Sequence, residues 1–371
     1  MTLFLDFDGT ITAEDTVTHL ANFALRFQSK QQEPEELETR SSGVSGTRGG
    51  STTSTSTSEF PAPSPTSGPG SDQGSYINKN TTSSATSSSA VHTNKSHQPA
   101  QDDVIALSSR WDEVVRAYVS DYKSHVSSYA PPAPQRQCVA DEVAFLRSQK
   151  HVETKSLARI NECAIFRGIT PDAFRDAGKE LVRTGVVRLR PGFRDLVRRA
   201  LGKGWKVNVV SVNWSAAFIE GACGFEKGEI SVYANEVRGR DGAVLGPDIF
   251  GTSHGEGGGA LSSSVTGEQD ESRKLTNSCD KRDVVRAVLR NDAVPHDAPF
   301  FYFGDSTTDM ECLLEATRGV VIADNEDSSL IRTLRRIGRK VPRVRDAEAD
   351  DEVVWASDFD EVMAGPKFSL F

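Results

Sequence analysis

Near its start the chain reads Leu3-Phe4-Leu5-Asp6-Phe7-Asp8-Gly9-Thr10, an apolar run broken by two carboxylates and closed by a glycine. A fully buried parallel strand has this pattern, and its last residues then emerge at the carboxyl edge of a sheet. Open α/β sheets hold their ligands at that edge. Asp6 and Asp8 share the two-residue period of a strand, so both point out of its end. Gly9 permits a sharp turn directly after them. Two ionised carboxylates about 4 Å apart repel by roughly 4 kcal/mol at an effective dielectric near 20. A cation or a shifted pKa must offset that repulsion.

The rest of the chain supplies the sheet. Residues 206–211, 300–303, 319–323 and 353–356 are short apolar strands, and 230–237 is a further one, with a turn signal after it at Asp241-Gly242. Helical spacing precedes or succeeds each, as at 191–201, 214–222 and 283–289. Alternating strands and helices predict an α/β fold with a doubly wound parallel sheet. Before the second strand the pattern is helical throughout: 17–27, 104–122, 139–146, 157–165, and a helix opened by Thr170-Pro171.

The expected organisation is a catalytic core of 1–13 and 186–371 with an inserted helical cap of 14–28 and 103–185. Residues 29–102 are rich in Ser, Thr, Gly and Pro, offer too little apolar surface to offset ordering entropy, and are expected to be a disordered insert. Residues 251–278 read as a flexible loop within the core. Their glycine run is no P-loop, since no Gly-Lys-Ser/Thr comes after it.

Composition excludes several classes. A formal charge of −9 argues against general nucleic-acid binding, and no stretch approaches a membrane span. Five scattered cysteines without a Cys-x-x-Cys pair suggest neither a disulfide framework nor a zinc site. A cleavable leader would remove the first strand, so a cytoplasmic protein is expected. The basic run 335–345 reads as a solvated helix end, with a nuclear signal as the alternative.

Polar residues stand at four element boundaries. Asp6 and Asp8 end the first strand. Ser211, Val212 and Asn213 close the 206–211 strand. Lys281 heads a helix, and Asp305 and Asp309 come after the 300–303 strand. Lys274 is a rival to Lys281, but only Lys281 heads an amphipathic helix.

In this order they resemble the four motifs of the haloacid dehalogenase superfamily: Asp-Phe-Asp-Gly-Thr, Ser211, Lys281, and Gly-Asp-Ser-Thr-Thr-Asp. A helical cap between the first and second motifs is similar to the phosphoserine-phosphatase-like branch. Asn-Trp-Ser after Ser211 and Ser-Thr-Thr in the fourth motif look more like phosphatases of methylthio-ketose phosphates or thiamine phosphate. The resemblance implies a Rossmann-like core and a Mg²⁺-dependent phosphatase acting on a small phosphorylated metabolite. It implies Asp6 as nucleophile, Asp8 as general acid and base, and Lys281 as a second positive charge. Ser211, Val212 and Asn213 would bind the phosphoryl group.

Mg²⁺ would be held by Asp6, the backbone carbonyl of Asp8, and Asp305, with Asp309 holding a metal-bound water or Lys281. Glu14, Asp15, Arg167 and Trp214 are candidates to touch the leaving group. A phosphate-binding scaffold and a protein phosphatase are the alternative functions.

Overall fold

The computed structural model describes residues 1–31, 99–249, 274–293, 295 and 298–365. The expected insert at 29–102 lies mostly outside the described residues, as does 251–273. Six parallel strands form the central sheet: β1 (Thr2–Leu5), β2 (Lys206–Val210), β3 (Ser231–Tyr233), β6 (Phe300–Gly304), β7 (Arg318–Ile322) and β8 (Val353–Ala356). Their order across the sheet is β3-β2-β1-β6-β7-β8. β1 is central. Leu5 lies opposite Val209 on one side and Phe303 on the other. Asp6 is therefore level with Val210 and Gly304, and Ser211 and Asp305 come one residue further on at the same edge. The strand order reverses about β1, which opens a crevice at the carboxyl ends.

Alternation along β1 explains its burial. Leu3 and Leu5 join one apolar cluster and Phe4 joins the other, on the opposite face. Helices α6 (Phe193–Gly202) and α7 (Ala216–Cys223) cover the first face, while α8 (Ser278–Asn291), α9 (Met310–Glu315) and α10 (Ser329–Arg336) cover the second. The short α11 (Phe359–Ala364) comes after β8 and packs on α6.

Helices α1 (Val17–Gln31), α2 (Pro99–Ser128), α3 (Val139–Ser148), α4 (Lys150–Cys163) and α5 (Pro171–Arg183) form the helical insert after β1. Thr170 caps α5 by accepting from the Ala173 N–H at 3.2 Å. No helix among the described residues is long and apolar enough to cross a membrane.

Three local features differ from expectation, and a fourth is a helix contact that no local pattern foretells. The strand expected over 230–237 is broken at Ala234 and Asn235, because the buried Asn235 side chain turns inward to bond Val212 O and the backbone of Leu275. Beyond the break lies a separate antiparallel hairpin, β4 (Glu236–Arg238) and β5 (Ala243–Leu245). It packs on α4 of the insert, where Val244 N–H donates to Asn161 Oδ1 at 2.9 Å. Second, residues 274–278, expected within a flexible loop, are buried, and Asn277 caps α8 through the Asp280 N–H. Third, the basic run is not simply solvated: Arg336 pairs with Glu142 of α3 at 2.9 Å and donates to carbonyls of Ala133 and Arg136.

Fourth, α5 lies backbone to backbone on α7. A Cβ at Gly221 would sit 2.0 Å from Arg175 O, and one at Gly178 would sit 2.2 Å from Phe218 O. Both clashes are with backbone, so the helices must part. Gly221→Ala is therefore expected to cost about 1–3 kcal/mol and lower the melting temperature by several degrees. An unchanged melting curve would show that α5 and α7 do not touch this way.

Candidate active site

After β1 the chain makes one wide turn over Phe7–Ile11, closed by Thr12 N–H to Phe7 O at 3.0 Å. Gly9 sits in this turn at φ +75°, and a Cβ there would lie 2.2 Å from Asp305 Oδ2. Only glycine meets both conditions. The turn is tied to its surroundings by Thr10 Oγ1 to Asp305 Oδ1 at 2.9 Å and by Arg190 Nε to Gly9 O at 3.0 Å.

Asp6 is buried at the strand end, its N–H bonded to Phe303 O. Lys281 reaches it from α8. The lysine is fully buried, with Nζ 2.8 Å from Asp6 Oδ1 and 2.8 Å from Asp309 Oδ1. Apart from that ion pair, Asp6 Oδ1 is a buried oxygen without a hydrogen-bond partner. Burial alone would lower the Lys281 pKa, but the carboxylates of Asp309 and Asp6 hold it above its ordinary value. Lys281 therefore holds its proton more tightly than a free lysine.

Asp309 is engaged at both oxygens. Oδ1 accepts from Lys281 and from the Tyr302 hydroxyl at 2.7 Å, and Oδ2 accepts from the N–H groups of Asp305 and Ser306. It closes a capping box with Ser306. Asp309 thus fixes the lysine and the loop that carries Asp305.

Carboxylate oxygens of Asp6, Asp305 and Asp309 lie within 4.8 Å of one another. At that spacing each ionised pair repels by roughly 3–4 kcal/mol at an effective dielectric near 20, and one lysine cannot balance three such groups. Burial, then the Asp309 carboxylate, pushes Asp6 well up and Asp305 up to about 7. An all-oxygen set of three close carboxylates, which one lysine does not neutralise, fits a hard divalent cation.

Asp8 is not one of these three grouped carboxylates. Its Oδ1 accepts from Thr16 N–H at 2.8 Å and Thr16 Oγ1 at 2.6 Å, and its Oδ2 accepts from Asn213 Nδ2 at 2.8 Å. Burial raises its pKa despite these bonds, so the group holds a proton more readily than a free aspartate. Asn213, expected at the phosphoryl group, stands beside Asp8 in this structure. Its amide is committed to Asp8 and Thr16, and its N–H to Ser211 Oγ at 3.1 Å. Asn213 holds the Asp8 side chain in this orientation.

Ser211 and Val212 are buried at the end of β2, beside Asp6. Lys274 is buried in the segment before α8 and pairs with neither Asp6 nor Asp309. Of the four leaving-group candidates, Glu14 forms an exposed pair with Arg188, and the Arg167 backbone packs against the hairpin at Gly242. Asp15 caps the start of α1 through Val17 N–H. Trp214 lines a cavity between core and insert. Thr16, Tyr302 and Arg190 are invisible as site residues in the sequence. Each acts through partners across long chain separations or through a hydroxyl with no motif of its own.

No family model matches the chain, and no curated protein matches it. Among solved structures, the chain is similar to a substrate-bound phosphoserine phosphatase complex at 9% identity and a TM-score of 0.40, over 98% of this chain and 96% of that one. It is also similar to a phosphoserine phosphohydrolase-like protein from Francisella tularensis subsp. tularensis SCHU S4, at 11% identity and a TM-score of 0.41, over 98% of each chain. A HAD family hydrolase from Salmonella enterica subsp. enterica serovar Typhi aligns at 11% identity and a TM-score of 0.35, over 62% of each chain. None of these likenesses carries a substrate over to this chain.

Proposed function

We propose that this chain is a phosphatase of the haloacid dehalogenase superfamily, hydrolysing a small-molecule phosphomonoester through an aspartyl phosphate on Asp6. One observation carries the proposal: a buried strand-end carboxylate, paired with a fully buried lysine, stands two residues before a second buried aspartate whose carboxyl is fixed in place by Thr16 and Asn213. A site that only bound phosphate would need the positive charge but not that second aspartate.

Asp6 supplies an oxygen for attack on phosphorus; the Asp6–phosphorus bond forms as the bond to the leaving oxygen breaks. Asp8 gives its proton to that leaving oxygen, then takes one from the water that attacks the phosphoryl group and frees Asp6. Lys281 offsets charge on Asp6 and the phosphoryl oxygens, and Ser211 and Val212 N–H hold the phosphoryl group. Mg²⁺, held by Asp6, the backbone carbonyl of Asp8 and Asp305, with Asp309 at the edge of the site, supplies further positive charge when bound. All five cysteines are free, which supports a reducing compartment such as the cytoplasm.

A panel of phosphorylated metabolites should release phosphate with Mg²⁺ and not after chelation. Folded protein inert toward every ester, p-nitrophenyl phosphate included, would favour a phosphate-binding scaffold.

A second expected result concerns pH. Asp305 titrates near 7 in the fold, against about 4 for a free aspartate. The folded form therefore binds the proton more tightly than the unfolded form. Without metal, stability is lost as pH rises from about 4 through about 7. Mg²⁺ competes with that proton, so it should raise the melting temperature more at pH 8 than at pH 5. An equal or larger shift at pH 5 would remove Asp305 from the cation site.

A further inference from the structure

A cleft of about 600 Å³ opens where the helical insert returns to the core. The end of α5, residues 187–190 and the first turns of α6 line it, and none of Asp6, Ser211, Lys281 or Asp305 does. Four arginines, Arg188, Arg190, Arg194 and Arg198, belong to the lining, against a single carboxylate, Asp195. Such a concentration of positive charge is selective for anions in a chain whose net charge is −9.

The four arginines are not equivalent. Arg190 is committed: its side chain is 10% exposed and donates to Gly9 O at 3.0 Å, to Asp324 at 2.8 Å and to Ser357 O at 3.1 Å. Arg188 pairs with Glu14 and Arg198 with Asp195, and all four of those side chains are more exposed than buried. Solvated pairs of that kind are weak and yield to a more highly charged ligand. Arg194 has no ion pair among the described residues. Three guanidinium groups are thus available to a ligand.

Arg194 and Arg198 are one turn apart on α6, so their Cβ atoms lie about 5–6 Å from each other and both can reach one anionic group. Arg188 comes from a different segment and can meet a second. Guanidinium forks match phosphoryl and carboxylate oxygens alike. The segment that carries Arg188 also supports the catalytic turn. Ala13 N–H donates to Arg188 O and Arg190 N–H to Ile11 O, each at 2.8 Å, and Leu189 bridges Thr12. A ligand held there bears directly on the turn that contains Asp8 and Gly9.

We propose that this cleft is an effector site for a small polyanion with two or more phosphoryl or carboxylate groups. Arg188, Arg194 and Arg198 hold the ligand, and Arg190 links the site to the catalytic turn. The site stands apart from the reaction proposed at Asp6, and its test is a binding measurement.

The test is calorimetry on the full chain in metal-free buffer at physiological salt, with pyrophosphate, citrate and orthophosphate as probes. Pyrophosphate or citrate should bind at least about tenfold more tightly than orthophosphate, which can meet only one end of the site. Tighter pyrophosphate identifies a phosphoryl ligand, and tighter citrate a carboxylate one. Combining Arg194→Gln with Arg198→Gln should weaken the tighter probe by at least about tenfold. Arg198→Gln alone, a change at one exposed side chain, should still weaken it by a few-fold if the double variant melts early. Bound probe should also slow hydrogen exchange over residues 7–13.

Orthophosphate binding as tightly as both polyanions, no binding of either, or full affinity in the arginine variants overturns the site. Binding that leaves exchange over residues 7–13 unchanged overturns its role as an effector site.

Discussion

Lys281→Met should lower kcat by at least about 10²–10³-fold, the usual loss on removing one preorganised charge from a reaction site. The lysine is fully buried and bridges Asp6 and Asp309 at 2.8 Å each. Its loss leaves those carboxylates facing each other with no cation between them. Breaking a buried pair from one side costs about 3–5 kcal/mol, so the metal-free variant should also melt earlier. Lys281→Arg should not rescue, because a planar fork does not fit where a compact ammonium sits between two oxygens. Lys274→Met is the matched control and should stay within a few-fold of wild type. Phosphate-release kinetics with thermal melts would check both. Equal losses for the two variants would mean that the wrong lysine has been placed at Asp6.

The contrast between these lysines is legible in the sequence only as a helix start. Lys281 lies one turn into α8, where one face is buried, whereas Lys274 precedes the Asn277 cap. The strand-end aspartates are equally legible, because an apolar run ending in carboxylates is a local signal. So are most helices of the insert, whose apolar spacing and Thr170 cap lie within a few residues of one another.

The features concealed from a sequence reading are long-range. The bond from Asn213 to Asp8 spans 205 residues, and no local pattern distinguishes an amide that holds an acid from one that holds a phosphoryl group. Tyr302 reads as one more apolar strand residue, yet its hydroxyl reaches Asp309. The break in the strand at Asn235 depends on Leu275, forty residues on. The hairpin after that break has an ordinary turn signal; that it packs on α4, not on the main sheet, is a tertiary fact. Arg336 likewise looks like surface charge until Glu142 is brought to it.

The central claim is that Asp6 carries the phosphoryl group while Asp8 moves protons. Asp6→Asn should abolish turnover, since an amide is a very poor nucleophile. Asp8→Asn keeps the nucleophile but loses the acid and the base that Thr16 and Asn213 hold in place. With an alkyl phosphate its first step should slow by roughly 10²–10⁴-fold. With p-nitrophenyl phosphate the leaving group needs little protonation, so Asp6 should still be phosphorylated, and the intermediate should persist because water attack lacks its base. Rapid acid quench of Asp8→Asn with p-nitrophenyl phosphate, then intact mass and peptide mapping, tests this directly. One added phosphoryl group on Asp6, absent from Asp6→Asn, is the expected result. Wild-type turnover of both esters by Asp8→Asn, or label on Asp305 instead, would contradict the assignment.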